Sequence, residues 1–313
     1  MSLAFVFPGQ GAQTIGMGRD LAEAYPAAQA VFDEVDEALG EKLSALIWEG
    51  EAETLTLTQN AQPALMATSL AAVRALEAEG VSVDVASFVA GHSLGEYSAL
   101  CAVGALELAD TARLLRLRGE AMQSAVPVGE GAMAAVLGLE IDAVEALAAD
   151  AAEGEVCEVA NENDPAQTVV SGSKSAIDRV VAMAKERGAK RALPLPVSAP
   201  FHCALMQPAA DAMAEALKSV AIQAPSVPVV ANVVAEAVQD PEVIRKLLVD
   251  QVAGRVRWRS SVEWMAEQGV DAFWELGAGK ALSGMIRRIA KEAETRAVGS
   301  AADVIAAAEA RAN

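Results

Sequence analysis

Short apolar runs and longer amphipathic stretches follow one another along the chain, a pattern that predicts an α/β fold. Ala4–Phe7 and Val85–Ala90 are apolar on both faces and short, which is typical of buried parallel strands. Stretches with a single apolar face predict helices between such strands. We therefore expect layers of helices around a parallel sheet. The expected helices lie at about 16–40, 63–79, 94–106, 108–124, 208–218 and 241–252, and further strands at Val227–Val230 and Phe273–Leu276.

The middle of the chain follows a second pattern, strand-helix-strand-strand-helix-strand. This order is the split βαββαβ motif of ferredoxin-like domains. We predict a small ferredoxin-like domain at 125–196, inserted into a discontinuous, hydrolase-like catalytic domain of residues 1–124 and 197–313. The expected elements are strands Ala132–Leu139, Val156–Ala160, Thr168–Ser171 and Ala189–Leu195, helices Ile141–Ala152 and about 174–187, and a turn at Asn161–Pro165.

Composition excludes some classes of function. The chain has 313 residues, of which 53% are hydrophobic and 21% charged, as in ordinary globular proteins. It has 24 Lys and Arg residues and 43 Asp and Glu residues, which gives a formal net charge of −19. Nucleic-acid binding needs a basic footprint, and only 4% of the residues are aromatic, so this function is disfavoured. The acidity also disfavours an anionic membrane surface.

Signals for membrane insertion, secretion or metal binding are missing from the sequence. No apolar run approaches the roughly 18 residues of a membrane helix, and the N-terminal residues lack the basic region of a signal peptide. The three cysteines have no CxxC spacing, and the two histidines have no matching carboxylate spacing. We expect a cytoplasmic protein with neither a disulfide framework nor a metal site.

The segment Gly91-His92-Ser93-Leu94-Gly95 matches the pattern G-x-S-x-G between a predicted strand and a predicted helix. This is the context of a nucleophile elbow, in which a tight turn raises a serine hydroxyl above the sheet. The start of the helix offers the Leu94 N–H to a developing oxyanion. The alternative is a strand–helix turn that carries a serine by chance.

A serine nucleophile needs a base, and the sequence offers only His92 and His202. His92 is adjacent to Ser93, and neighbouring side chains on a turn diverge, so we expect it to pack beside the elbow. His202 lies in the irregular loop Ser198–Cys203, which can reach over the main sheet. By elimination His202 is the predicted base, and Cys203 is expected to be only a small loop residue.

Arg118 interrupts the apolar face of its predicted helix. At about 100° per residue, Leu114, Leu115 and Met122 lie on that face, with Arg118 in its middle. An inward arginine keeps its charge and needs an anionic partner. Two interpretations stay open: a structural salt bridge or snorkelling side chain, and a fork that binds a substrate carboxylate beside the serine.

Several motifs occur in a specific order along the chain. They are Phe7–Gln13 (FPGQGAQ), Gln59–Leu65 (QNAQPAL), Gly91–Tyr97 (GHSLGEY), Arg118-Gly119, Phe201-His202 and Glu275–Lys280 (ELGAGK). Together they closely resemble the malonyl-CoA:acyl carrier protein transacylases of bacterial fatty-acid synthesis, over nearly the whole chain. The family often has Ser where this chain has Phe201 and Pro where it has Ala278. These departures concern acyl preference and loop shape, not the chemistry.

The resemblance implies a ping-pong acyl transfer by a monomer without a cofactor. Ser93 would attack the thioester of malonyl-CoA with His202 as base, and the phosphopantetheine thiol of acyl carrier protein would then take the malonyl group. Arg118 would hold the malonyl carboxylate, and Gln251 would support the site in place of a triad acid. The resemblance also places main-chain oxyanion donors at Gln10 and Leu94, and residues near the site at Gln62, Asn163 and Phe201.

Two other functions stay open. A serine esterase or thioesterase would share the elbow and the histidine but release the free acid. A noncatalytic subunit that binds acyl carrier protein would have the fold without the reaction, although the presence of both Ser93 and His202 weighs against it.

Binding of a carrier protein raises a question of charge, because the carriers of this pathway are acidic and so is the chain. A local basic surface would resolve the conflict. Three groups of residues are candidates: the first basic group (Lys185, Arg187, Lys190, Arg191), the second (Arg255, Arg257, Arg259) and the third (Arg287, Arg288, Lys291).

Overall fold

The computed structural model describes residues 2–197 and 199–312, which form two β-sheets and the helices packed against them. The strands are β1 (Leu3–Phe7), β2 (Phe88–Gly91), β3 (Gly131–Leu137), β4 (Cys157–Asp164), β5 (Gln167–Ser173), β6 (Arg191–Pro194), β7 (Val229–Ala231), β8 (Glu236–Val238), β9 (Ala272–Leu276) and β10 (Glu294–Val298). The helices are α1 (Arg19–Ala24), α2 (Pro26–Leu39), α3 (Leu43–Glu49), α4 (Ala52–Thr56), α5 (Thr58–Ala78), α6 (Leu94–Ala102), α7 (Leu108–Ser124), α8 (Ile141–Ala152), α9 (Lys174–Met183), α10 (Gln207–Leu217), α11 (Pro241–Ala253), α12 (Trp258–Glu267), α13 (Ala281–Ile289) and α14 (Ala301–Ala312).

The larger sheet has the order β10-β9-β1-β2-β7-β8 within the described residues. All neighbouring strands are parallel except β8, which pairs antiparallel with β7. Every residue of β1 is buried, since helices cover both faces of the sheet at its centre. This architecture confirms the predicted α/β fold with a parallel core.

The smaller sheet is antiparallel, with the order β4-β5-β3-β6. Its strands and the helices α8 and α9 follow one another as βαββαβ, which confirms the ferredoxin-like motif. A separate apolar core lies between this sheet and its helices, and includes Val136, Val144, Ile177 and Val180. These elements run from Gly131 to Pro194; the boundaries at 124/125 and 196/197 stay predictions.

The predicted turn at Asn161–Pro165 is wrong for its first four residues, which continue β4. Asn161 forms a parallel bridge with Val256 of the main domain. Arg255 Nη1 donates to Glu162 Oε1 at 2.8 Å. These contacts attach the small sheet to the main domain, and they override the turn preference of Asn and Asp.

The sequence patterns also missed elements near the C-terminus. The last element predicted in the main domain is the strand Phe273–Leu276, but the structure adds β10 and the helices α12, α13 and α14. β10 has only one fully buried residue because it lies at the edge of the sheet, so it lacks a continuous apolar run. The long helix expected at about 16–40 is two helices, and the second begins at Pro26, a residue favoured in a first helical turn.

Candidate active site

Ser93 lies between the carboxyl end of β2 and the start of α6, in a sharply bent turn. Its backbone has φ 53° and ψ −110°, a conformation that costs a non-glycine residue free energy. The glycines on either side allow close approach of the backbone. A Cβ on Gly91 would lie 1.9 Å from the Gly95 carbonyl carbon, and one on Gly95 would lie 2.2 Å from Phe7 O. The helix therefore packs directly on the strands, as a nucleophile elbow requires.

His202 faces the serine. Ser93 Oγ and His202 Nε2 are 2.8 Å apart, and His202 Nδ1 donates to the main-chain carbonyl of Gln251 at 2.9 Å. Burial, and then the positive charge of Arg118, lower the pKa of His202 to about 3. The imidazole is thus neutral near pH 7, with its Nε2 lone pair free to accept the serine proton.

His92 is occupied elsewhere. Its Nε2 donates to Asn163 Oδ1 at 2.9 Å, and its ring packs against Trp258 with centroids 5.8 Å apart. Burial lowers its pKa, so it is a neutral packing residue. This agrees with the expectation that His92 packs beside the elbow.

Two residues of the cleft have main-chain N–H groups that suit an oxyanion site. Gln10 and Leu94 both line the cleft above Ser93. Leu94 is the first residue of α6, where N–H groups have no partner within the helix. Within the described part of the chain, neither N–H donates a hydrogen bond, so both are free to bind a negative oxygen.

Arg118 is 1% exposed and lies beside the serine. Its Nη1 donates to Gln62 Oε1 at 2.7 Å. Its Nη2 donates to Gln251 Oε1 at 2.9 Å and to Ser93 Oγ at 3.1 Å. No carboxylate of a described residue forms an ion pair with it, and its Nε–H has no partner there. The structural salt bridge considered from the sequence is therefore absent from the described part of the chain, and the guanidinium is a buried cation available to a ligand carboxylate.

These side chains share one cleft of about 430 Å³ between the two sheets. β4, β5 and the segment after β6 form one side, and the loop after β1, the elbow and α13 form the other. Gln251 is fully buried behind the cleft. The predicted site residues that line the cleft are Gln10, Gln62, Ser93, Leu94, Arg118, Asn163, Phe201 and His202.

The loop Ser198–Cys203 also contains a cysteine next to the predicted base. Ser198 itself lies outside the described residues. Cys203 is buried, its Sγ lies 3.2 Å from the Pro200 carbonyl, and burial raises the pKa of its thiol to about 11. A protonated thiol is a poor nucleophile, so the structure places no second nucleophile at this position.

Within residues 2–197 and 199–312, no three side chains of His, Cys, Asp or Glu are grouped so that they could hold a metal ion. No helix in this part of the chain combines the length and the apolar character that crossing a membrane requires.

Comparison with known proteins decides the family. Residues 4–306 match the family model described as acyl transferase domain. The chain is 47% identical, over 95% of its length and 93% of the relative's, to the malonyl CoA-acyl carrier protein transacylase of Bacillus subtilis (strain 168). The chain belongs to the malonyl CoA-acyl carrier protein transacylase family. This confirms the resemblance seen in the motifs.

Solved structures agree with the family assignment. The chain superposes with a TM-score of 0.97 on an acyl-carrier-protein-S-malonyltransferase from Bartonella henselae, which is 54% identical, with 100% of both chains covered. A type II PKS acyl-carrier protein has been solved in complex with its malonyl-transacylase. That complex matches with a TM-score of 0.96 and 43% identity over 99% of this chain and 100% of the other.

Two polar residues of this transacylase-family site were missed from the sequence. Asn232 follows β7 directly, and its Oδ1 accepts from the Ser93 N–H at 2.8 Å while its Nδ2 donates to Gly91 O at 2.7 Å. A polar residue at the carboxyl end of a strand beside the elbow strand was a usable signal. The second is Glu96, which is 3% exposed and carries the only charge on the apolar helix α6.

Proposed function

We propose that the chain transfers the malonyl group of malonyl-CoA to the phosphopantetheine thiol of acyl carrier protein, in cytoplasmic fatty-acid biosynthesis. One observation carries the choice of acyl group: the buried Arg118 guanidinium has no carboxylate partner among the described residues and lies 3.1 Å from Ser93 Oγ. A cation there matches an acyl chain that ends in a carboxylate. The names of the relatives support the same substrate pair.

In the first half-reaction, Ser93 Oγ attacks the thioester carbonyl carbon while His202 Nε2 takes the hydroxyl proton. The carbonyl electrons move to the oxygen, which the N–H groups of Gln10 and Leu94 stabilise. Collapse breaks the C–S bond, and His202 returns the proton to the departing CoA sulfur. The product is a malonyl ester on Ser93.

In the second half-reaction, the thiol of the carrier's phosphopantetheine enters the same cleft. His202 takes the thiol proton as the sulfur attacks the ester carbonyl, and the same N–H groups stabilise the oxyanion. Collapse breaks the bond to Ser93 Oγ, which regains the proton from His202. We infer that a monomer suffices and that no resident cofactor takes part, because one chain supplies the base, the nucleophile and the carboxylate fork.

A partition experiment tests this function against its alternatives. Purified protein, malonyl-CoA and the holo form of an acyl carrier protein should give malonyl-carrier as the main product, with little free malonate. A thioesterase would release malonate whether or not carrier is present. A noncatalytic binding subunit would give neither a malonyl-carrier nor an acyl adduct by intact mass. Malonyl-, methylmalonyl- and acetyl-CoA in competition would define the preferred acyl group.

The three basic groups differ in how freely they could bind an acidic carrier. The second basic group is paired with acidic residues: Arg255 contacts Glu145 and Glu162, and Arg259 contacts Glu140 and Glu263. Its charges are thus occupied, mainly in attaching the small sheet to the main domain. We therefore remove the second group from the candidates for carrier docking.

The first and third basic groups flank the cleft. β6 begins at Arg191 and leads into Leu195 and Val197, which line the cleft, and α13 contributes Met285. Arg187 and Arg288 are paired with carboxylates. Within these two groups, the exposed cations that form no ion pair with a described residue are Lys185, Lys190, Arg191, Arg287 and Lys291. We propose that these cations bind the acidic carrier at the mouth of the cleft.

Charge reversal tests this surface. Lys190→Glu with Arg191→Glu should raise the KM for carrier by about 10-fold or more, since each reversal replaces attraction by repulsion. Formation of the malonyl-enzyme from malonyl-CoA should change far less. Lys218→Glu, an exposed lysine after α10 and outside the cleft, is the matched control. An unchanged KM for carrier in the double variant would reject this face.

A further inference from the structure

Glu96 is a buried carboxylate that the proposed reaction does not use. It lies in the first turn of α6, directly after the elbow, and is 3% exposed. A buried carboxylate is costly unless hydrogen bonds or charges compensate it. Its bonding partners therefore indicate what it contributes.

The carboxylate bonds to groups that hold the active site. Glu96 Oε2 accepts from Gln251 Nε2 at 2.9 Å and from the Asn232 main-chain N–H at 2.9 Å. The same Gln251 Nε2 donates to the Ser93 carbonyl at 3.0 Å. On its other side, Gln251 Oε1 accepts from Arg118 Nη2 at 2.9 Å. One amide thus bridges a buried acid and a buried cation.

The two charges fix which way the Gln251 amide faces. Its NH₂ group has only acceptors around it, and its oxygen faces the guanidinium. A flipped amide would place its oxygen against the Glu96 carboxylate and its NH₂ against Arg118, and both contacts would be repulsive. The ionised acid therefore holds Gln251 Oε1 in place as an acceptor for Arg118.

We propose that Glu96 is a positioning residue for malonyl selection: through the Gln251 amide, its carboxylate holds the Arg118 guanidinium in the orientation that binds the substrate carboxylate. Glu96 does not line the cleft, so it does not contact the acyl group, and the hydrogen bonds that join it to Arg118 run through Gln251. This role rests on the proposed function, because it matters only if a carboxylated acyl group binds Arg118.

The charge state of Glu96 depends on pH near neutrality. Burial raises its pKa to about 7, against the bonds from Asn232 and Gln251 and the charge of Arg118. The titratable groups that face it are Arg118 from α7 and Tyr97 from its own helix, whereas β7 and α11 contribute only the neutral Asn232 and Gln251. Below about pH 7 the protonated acid holds the amide less firmly, so malonyl selection should weaken as the pH falls.

The test compares acyl groups in Glu96→Gln. The ratio of kcat/KM for malonyl-CoA to that for acetyl-CoA should fall by about 10-fold to 100-fold, the size of effect that a small misplacement of a binding group produces. Acetyl transfer should stay within about 3-fold of wild type. Both values come from one preparation, so a loss of folded protein cancels in the ratio. Asp36→Asn, a buried carboxylate bonded to Ser44 outside the cleft, should leave the ratio unchanged.

Two further measurements separate positioning from a general structural role. In a Gln251→Leu background, adding Glu96→Gln should leave the ratio unchanged, because the bridge is already gone. The wild-type ratio should rise between about pH 6 and about pH 8, whereas the Glu96→Gln ratio should be flat. His202 contributes nothing to this change, since its pKa is about 3.

A flat wild-type ratio, or an equal loss for both acyl groups in Glu96→Gln, would overturn the positioning role. The wild-type pH measurement decides the question even if the variant does not fold. Failure of the wild-type protein to transfer malonyl to carrier would instead reject the proposed function. The two failures are therefore distinguishable.

Discussion

Ser93→Ala should abolish malonyl transfer, with kcat falling by about 10⁵- to 10⁶-fold, as when the nucleophile of a serine enzyme is removed. The loss is large because the proposed reaction proceeds through an ester on Ser93 Oγ, the hydroxyl that lies 2.8 Å from His202 Nε2. Intact mass spectrometry after exposure to malonyl-CoA checks it directly. Wild-type protein should gain the mass of one malonyl group, and Ser93→Ala should gain nothing.

A matched control lies on α6, the helix that follows Ser93. Ser98 is fully buried on α6, its hydroxyl has no hydrogen-bond partner among the described residues, and it does not line the cleft. Ser98→Ala should therefore keep the malonyl adduct and nearly all of the activity. A malonyl adduct that persists in Ser93→Ala would falsify the assignment of Ser93 as nucleophile.

The turn at Ser93 was predictable because five consecutive residues specify it. A serine between glycines, after an apolar strand and before a helix, specifies an elbow with little help from the rest of the chain. His202 followed by elimination, since the chain has only two histidines and the other is adjacent to Ser93. The helical period alone placed Arg118 inside the protein, where it is 1% exposed.

The supporting residues were harder to predict because their roles depend on which segments meet in space. Asn232 and Glu96 are distant in sequence, and only the pairing of β2 with β7 brings them together. Gln251 came from the family resemblance; the structure adds that its main-chain carbonyl bonds His202, while its side chain bonds Arg118. Secondary-structure propensity does not indicate that the main chain and the side chain of one residue bind different partners.

The same limit explains the errors in the fold. Asn and Asp favour turns in isolated segments, and so the start of Asn161–Pro165 was assigned to a turn. In the folded chain these residues extend β4 into the junction with the main domain, where Arg255 and Arg288 compensate their acidic side chains. Tertiary contacts outweigh local preference at this junction, which also forms one wall of the cleft.

The proposed selection of a carboxylated acyl group depends on the Arg118 cation, whose two arms are hydrogen-bonded to neutral groups. Two glutamine oxygens hold the arms of the Arg118 guanidinium, at 2.7 Å from Gln62 and 2.9 Å from Gln251. An acidic side chain in their place would neutralise the charge and compete with the substrate. Amide oxygens orient the fork and leave its charge free for a ligand.

Arg118→Ala should therefore change which acyl group is transferred. The kcat/KM for malonyl-CoA should fall by about 10²- to 4 × 10³-fold, since a buried, hydrogen-bonded charge pair is worth about 3–5 kcal/mol when one partner is removed. Acetyl transfer should fall less or rise, because an acetyl group has no carboxylate to bind. Initial rates with both CoA esters on the same preparation give the ratio independently of the folded fraction.

Two further variants serve as a control and as an intermediate case for this result. Arg113→Ala removes an exposed arginine from the opposite face of α7, whose one ion pair among the described residues is with Asp110, and should leave the acyl ratio unchanged. Arg118→Lys keeps a positive charge but loses the two-armed fork, so its ratio should lie between those of wild type and Arg118→Ala. Equal losses for malonyl and acetyl transfer in Arg118→Ala would show that the guanidinium supports Ser93 and His202 and does not bind the substrate carboxylate. The discrimination between acyl groups would then have to come from the shape of the cleft around Phe201, which also lines it.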